Sequence, residues 1–349
     1  MANESIMNAM ADTDWTSGVI PTITSKRIYQ KAMNACKTSK FMGAEGDLMP
    51  IIRKVDMLDE PGDTINIIRT LDIDDTAVTG RLQGEEDNVD SEVLNLAPVL
   101  RKKGISWKFL AARRITFAMR ERAVMLLSRF WTRHVDTTLL TALTGTGGGF
   151  SGTVPDVTWA GDATGLADID STDVLDLDDL DLAKESLEED NAIPVGGEEG
   201  KYIAFLHTRQ AHYLTITSAW REYQQNADIR GIENWLFQGK KPPYGGVTPF
   251  GYWNGMALFK TNQVPTVSST SSPSIAVATA TVMGCEALSY AVEGYDPGDG
   301  SMVEGIYYTD ETRDYKNEIG VGSALCRVAS VMTSENLKQI KSAANNPNA

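Results

Sequence analysis

Three histidines, a glycine run, a set of closely spaced aspartates and a stripe of arginines are the residues whose types and spacing could do chemistry. His207 and His212 stand five apart, which does not place them on one helical face, and His134 falls inside a long helical pattern. They do not make a metal pair at helical spacing, and packed or surface histidine is the default. A hydrolase using His207 or His212 would need a nucleophile with recognisable local context, and no such Ser-His-Asp or Cys-His arrangement is legible. Gly145-Thr146-Gly147-Gly148-Gly149 follows a helix rather than a strand and lacks Gly-Lys-Ser/Thr, so it reads as a link and not a phosphate loop. Asp168, Asp170 and Asp173 are spaced like calcium ligands, but the glycine that such a loop needs at its sixth position is replaced by Asp173. A solvated acidic helix start is the better reading. No catalytic residue, metal or cofactor is expected.

The arginines are different. Arg122, Arg129 and Arg133 are seven and four apart, which makes one basic stripe along a helix. Three readings stand: a solvated face, a partner for carboxylates of a neighbouring chain such as Glu85, Glu86 and Asp87, or a surface toward nucleic acid. The formal net charge of −15 disfavours the last. Cys36, Cys285 and Cys326 are odd in number and far apart, giving neither a disulfide framework nor a zinc motif, and imply synthesis in a reducing cytoplasm. The first fifteen residues do not have the pattern of a signal peptide.

These residues sit on recognisable elements. The stripe belongs to a helix predicted over residues 112–143, with Met119, Ala123, Leu126, Leu127, Phe130, Trp131 and Val135 on an apolar arc. Ser128 and Asp136 fall on its polar side. Such a helix is about 45–50 Å long and needs something extended to lie against. Residues 1–50 read as an arm with a short helix near Lys26–Ala35, unable to bury a core alone and expected to lie on a neighbour or stay partly disordered. Residues 51–109 read as β, with strands at Thr64–Leu71 and Val93–Phe109. Between them, Asp72–Glu92 holds eight acidic residues against one base, Arg81, and reads as the tip of a two-stranded excursion that packs on another subunit.

Residues 110–200 add a glycine-rich loop with Trp159, then a helix capped by Ser171-Thr172 with Leu177, Leu180, Ala183 and Leu187 on its apolar face. Residues 201–332 begin with a buried strand, Tyr202–Leu206, followed by a mostly helical stretch to Phe237. A turn-rich β region, an apolar strand-then-helix run over Ile275–Val292, and closing strands ending at Val331 complete it. Residues 333–349 read as a polar, fraying tail. The class is α+β.

The order of these parts resembles the major capsid proteins of tailed double-stranded DNA phages, with the fold named after phage HK ninety-seven, and within them a podovirus-type subfamily similar to that of coliphage N-four. The likeness is carried by GRLQGEEDNVDSEVLNLAPVLRKKGISW as the second half of an extended loop and FAMRERAVMLLSRFWTRHVDTTLLTALTG as the spine helix. It is carried further by TDVLDLDDLDLAKESLEEDNAIP with KYIAFLHTRQAHYL at the peripheral-to-axial transition, and by WLFQGKKPPYGGVTPFGYWNGMALFKTNQVP in the axial lobe.

The resemblance implies a shell protein: copies assembling as hexamers and pentamers into an icosahedral virion that encloses double-stranded DNA without sequence-specific binding. The extended loop would lie over a neighbour, with Arg81, Glu85, Glu86, Asp87, Arg122, Arg129 and Arg133 at contacts between subunits. It implies a separate scaffolding protein, a portal and a cement protein as partners, synthesis in the host bacterial cytoplasm, and no membrane. The tip has Asn88 but no lysine, so no lysine–asparagine cross-link is expected from it. An encapsulin-like nanocompartment shell of the same fold is the alternative.

Overall fold

The computed structural model describes residues 28–56, 64–70, 90–108, 119–147, 149–150, 154–197, 201–222, 247–270, 274–295, 303–304, 307–313 and 317–345. In chain order, helix α1 (28–35) leads into β1 (Met42–Gly43), β2 (Ile51–Asp56), β3 (Ile65–Thr70), β4 (Ser91–Leu96) and β5 (Val99–Lys108). Helix α2 (Met119–Thr144), β6 (Asp156–Trp159), α3 (Leu177–Glu189), β7 (Tyr202–His207) and α4 (Thr208–Ile216) follow. The last strands are β8 (Gly251–Trp253), β9 (Met256–Thr261), β10 (Thr266–Ser268), β11 (Ala276–Met283), β12 (Leu288–Tyr295), β13 (Val303–Glu304), β14 (Tyr307–Arg313), β15 (Glu318–Val331) and β16 (Leu337–Ala343).

Two seven-stranded sheets and a ribbon result. In the first sheet β1, β2, β12 and β15 run side by side. The long β15 pairs with β14 and then β12 along one edge, and with β5 along the other. The second sheet has the order β6-β16-β11-β7-β9-β8. The ribbon is β3 against β4, antiparallel, with Ile65 opposite Leu96 and Ile68 opposite Val93.

Alternation along the strands explains why the second sheet is buried on both faces. Ile203, Phe205, Ala257, Phe259, Met283 and Leu337 point into a core shared with Leu127, Trp131, Val135, Leu139, Leu140 and Leu143 of α2. Their neighbours Tyr202, Ala204, Leu206, Leu258, Val282 and Ile340 point the other way, onto Leu177, Leu180, Ala183 and Leu187 of α3 and Leu214 of α4. The first sheet contributes Ile51, Leu288, Tyr290, Val321 and Leu325 to the α2 core, so the helix joins the two sheets through one apolar face. Burying its six large side chains there stabilises the subunit by on the order of 10 kcal/mol before ordering costs.

Several elements differ from expectation. Residues 28–43 do not need a neighbour: Ile28, Ala32, Cys36 and Phe41 are buried in the α2 core of their own chain. Leu126 leaves the apolar arc, 42% exposed, whereas Ser128 and Asp136 are buried because α1 and the turn after it cover that side of the helix. Trp159 lies in a strand, where β6 pairs in parallel with β16. Helix α3 is capped not by Ser171-Thr172 but by Asp176 in a reciprocal capping box with Asp179. Ile275–Val292 is strand, turn, strand, the turn made at Gly284–Ala287 with Glu286 at φ 54°.

The largest difference is the supposed tail. Residues 337–343 form β16, nearly all buried, paired with β11 and β6 inside the second sheet. The expected helical stretch beyond residue 222 and residues 72–89 of the acidic tip lie outside the described residues, while Ser91 and Glu92 belong to β4.

Candidate assembly surfaces

The core of α2 fixes which of its side chains remain outside. Trp131 is fully buried and its Nε1 donates to Ser323 Oγ at 2.9 Å, which in turn donates to Lys103 O, tying the helix to β15 and β5. Arg327 of β15 donates to His134 O at 2.9 Å and to Thr138 Oγ1. Gln339 of β16 donates to the carbonyls of Leu143 and Gly145, two of the groups a helix end leaves without intrahelical partners.

On the third side, Asp136 Oδ1 accepts from Cys36 Sγ at 2.8 Å, Thr38 N at 3.0 Å and Thr38 Oγ1 at 2.7 Å, while its Oδ2 accepts from Lys37 N at 3.3 Å. Burial, then the Asp136 carboxylate, pushes the Cys36 thiol up to about 12. This buried carboxylate pins the segment after α1 onto the helix. Helical periodicity alone places Asp136 on the polar face; its burial depends on Cys36–Thr38, 98 to 100 residues away in the sequence.

With three sides held, the fourth shows Arg122, Arg129 and Arg133, all exposed, with Leu126 between the first two. Among the described residues, no carboxylate lies within ion-pair distance of these arginines. The ribbon offers a second surface. Ile65, Ile67 and Leu96 are buried against Ile52, Phe150, Ala291 and Met332, and Arg69 stacks on the Phe150 ring with its guanidinium 4.9 Å from the centroid. The opposite face carries the cross-strand pair Ile68 and Val93, 61% and 49% exposed. Arg81, Glu85, Glu86 and Asp87 belong to the stretch outside the described residues.

The histidines and aspartates singled out in the sequence have the following surroundings. His207 caps α4, its Nδ1 accepting from Arg209 N, and burial lowers its pKa. His212 is exposed beside Tyr213. His134 stacks on Phe130, and burial, then Arg327 and Arg101, hold its pKa down at about 4. Asp168, Asp170 and Asp173 each accept hydrogen bonds from their own loop: from Thr164 N, Thr172 N and Asp170 N. Among the described residues no group of His, Cys, Asp and Glu is placed to hold a metal ion, and no described helix is long and apolar enough to cross a membrane.

What the molecule presents is contact chemistry: a rigid helix with a free cationic face, and a ribbon with an uncovered apolar one. Such surfaces suit contacts between protein chains. The family described as phage capsid protein matches residues 149–327, just over half of the 349-residue chain, and the chain belongs to that family. Solved structures share the fold over nearly the whole length. The capsid of Ralstonia phage GP4 is 20% identical with a TM-score of 0.68, over 89% of this chain and 91% of that one. The capsid of cyanophage Pam1 is 14% identical with a TM-score of 0.70, over 89% and 92%. The capsid of Helicobacter pylori bacteriophage KHP30 is 11% identical with a TM-score of 0.63, over 87% and 90%. No curated protein matches the sequence.

Proposed function

We propose that this capsid protein is the major shell subunit, closing as hexamers and pentamers into an icosahedral head around double-stranded DNA. The ribbon of one copy lies on α2 of the next. Ile68 and Val93 cover Leu126, while Glu85, Glu86 and Asp87 face Arg122, Arg129 and Arg133, with Arg81 at the same contact. The observation that carries this reading is the exposed Ile68–Val93 pair on a ribbon whose other face is already buried. A two-stranded ribbon is marginal in water by itself, and an apolar pair left on its free face is stabilised by a partner surface. Repetition by symmetry turns many weak contacts of this kind into a closed shell, with charge setting register.

Scaffolding, portal and cement proteins are the partners this role calls for, with the virion as destination and the host bacterial cytoplasm as the place of synthesis. The net charge of −15 keeps the packaged DNA from sticking to the wall.

Negative-stain imaging of the purified protein, alone and with the candidate scaffolding protein, tests the proposal. Closed shells are expected in at least one arm. Folded monomers in both, across salt and concentration, would refute it.

A further inference from the structure

The described chain opens at Ile28 on α1, and the far end of that helix forms one wall of a cavity of about 430 Å³. Ala35, Val247 and Phe259 give the cavity apolar walls, and Lys37, Lys40 and Lys260 give it three cations; no acidic side chain is among the described residues that line it. Lys37 Nζ donates to Lys260 O at 3.2 Å, which draws the turn after α1 against β9. The Lys260 ammonium stands 4.9 Å from the centroid of the Phe250 ring. In a chain of net charge −15, three lysines lining one concavity make it locally cationic, and low-dielectric walls focus such a field. Part-apolar, part-cationic walls and this volume suit an occupant that carries a ring and carboxylates together.

The chain ahead of Ile28 contains one. Asp12, Asp14 and Trp15 stand within four residues, and the first base of the chain is Lys26. The acidic stretch from Asp72 to Glu92 has more charge but no aromatic residue. Trp15 is thirteen residues from Ile28, a reach of up to about 40 Å when extended, whereas the eight residues of α1 rise only about 12 Å. A tether of that length holds the segment at millimolar effective concentration. We propose that the Asp12–Trp15 segment docks in the Lys37–Lys40–Lys260 cavity of its own chain, its carboxylates paired with the ammonium groups and its indole set against the apolar wall.

Zero-length carbodiimide cross-linking of the full chain, followed by peptide mass spectrometry, tests this. The sample is a one-to-one mixture of unlabelled and nitrogen-15-labelled protein. Cross-links from Asp12 or Asp14 to Lys37, Lys40 or Lys260 are expected, only between peptides carrying the same label. They should fall to background in Asp12→Asn/Asp14→Asn, which leaves every described contact in place. The Lys184–Glu188 pair, 3.3 Å apart on α3, is the internal control. If that pair cross-links and the Asp12 and Asp14 pairs do not, the proposal is overturned. Mixed-label cross-links would overturn it as well, because the occupant would then come from another copy.

Discussion

Asp136 is a residue whose loss reaches beyond itself. Its carboxylate serves two backbone N–H groups, a hydroxyl and a thiol, all from Cys36–Thr38. Truncation to alanine strands those buried donors, and each orphan costs more than its hydrogen bond contributed. Asp136→Ala should destabilise the subunit by about 2–3 kcal/mol, read from the urea midpoint. The same change should expose Cys36. In the wild type, burial keeps this thiol protonated at neutral pH and alkylation at pH 8 should spare it until unfolding. In the variant the segment lifts and Cys36 should label in the native state. Protection of Cys36 in a folded Asp136→Ala protein would count against the pinning role.

His134 makes a second statement at this scale. Its pKa is held near 4, below the ordinary 6.5, so between those values the unfolded chain binds a proton that the folded one refuses. Stability contributed by neutral His134 is therefore present above about pH 6.5 and lost as pH falls toward 4. His134→Gln should flatten the dependence of the urea midpoint on pH across this window, and an unchanged slope would assign the acid sensitivity to other groups.

At the scale of elements, the link after α2 is fixed by close approach. Phe150 N donates to Met332 O at 2.8 Å, and a Cβ on Gly149 would stand 2.1 Å from that same carbonyl oxygen. Backbone cannot yield as a flexible side chain would. Gly149→Ala should cost about 1–3 kcal/mol in thermal or urea unfolding, while Gly147→Ala, where a Cβ meets open space, should be tolerated. Equal effects at the two positions would contradict this account of the link. The glycine run is thus a path for the chain against β15's exit, and its flexibility is not what one of its glycines supplies.

For the whole molecule, the clamp on α2 matters because it leaves a single outward face. Three sides are held by β15 and β5, by β16 and by the segment after α1, so Arg122, Arg129 and Arg133 are presented by a helix that cannot roll. Arg129→Glu/Arg133→Glu should leave the monomer folded, with an unchanged circular dichroism spectrum and urea midpoint, and should impair shell formation in sedimentation assays. Exposed charges contribute little to one fold, but a contact repeated around a shell multiplies the loss. Normal shells from this double variant would remove the stripe from the proposed contact.

Much of this was legible in the residues. The periodicity of α2, the apolar face of α3 and the two-stranded ribbon follow from local rules, because one side of each meets a core and the other does not; in β5 only Ile105 and Trp107 of the alternating run reach the core, and Val99–Gly104 are exposed. The stripe of arginines was legible for the same reason, since exposure needs no partner. Local rules failed where both sides of an element are covered. The strands β11 and β12 bury both faces and so lose the alternation that marks a strand. The run Leu337-Lys338-Gln339-Ile340-Lys341-Ser342-Ala343 reads as polar tail. Yet it is a buried strand, because Asp156 and Asp190 bind Lys338, the helix-end carbonyls accept from Gln339, and Gln210 donates to Ser342. Asp136 follows the same logic. Sequence by itself determined which surfaces must be apolar; tertiary structure decided that Asp136 and Lys338 are inside, since their charges are satisfied by partners that lie from 98 to 182 residues away.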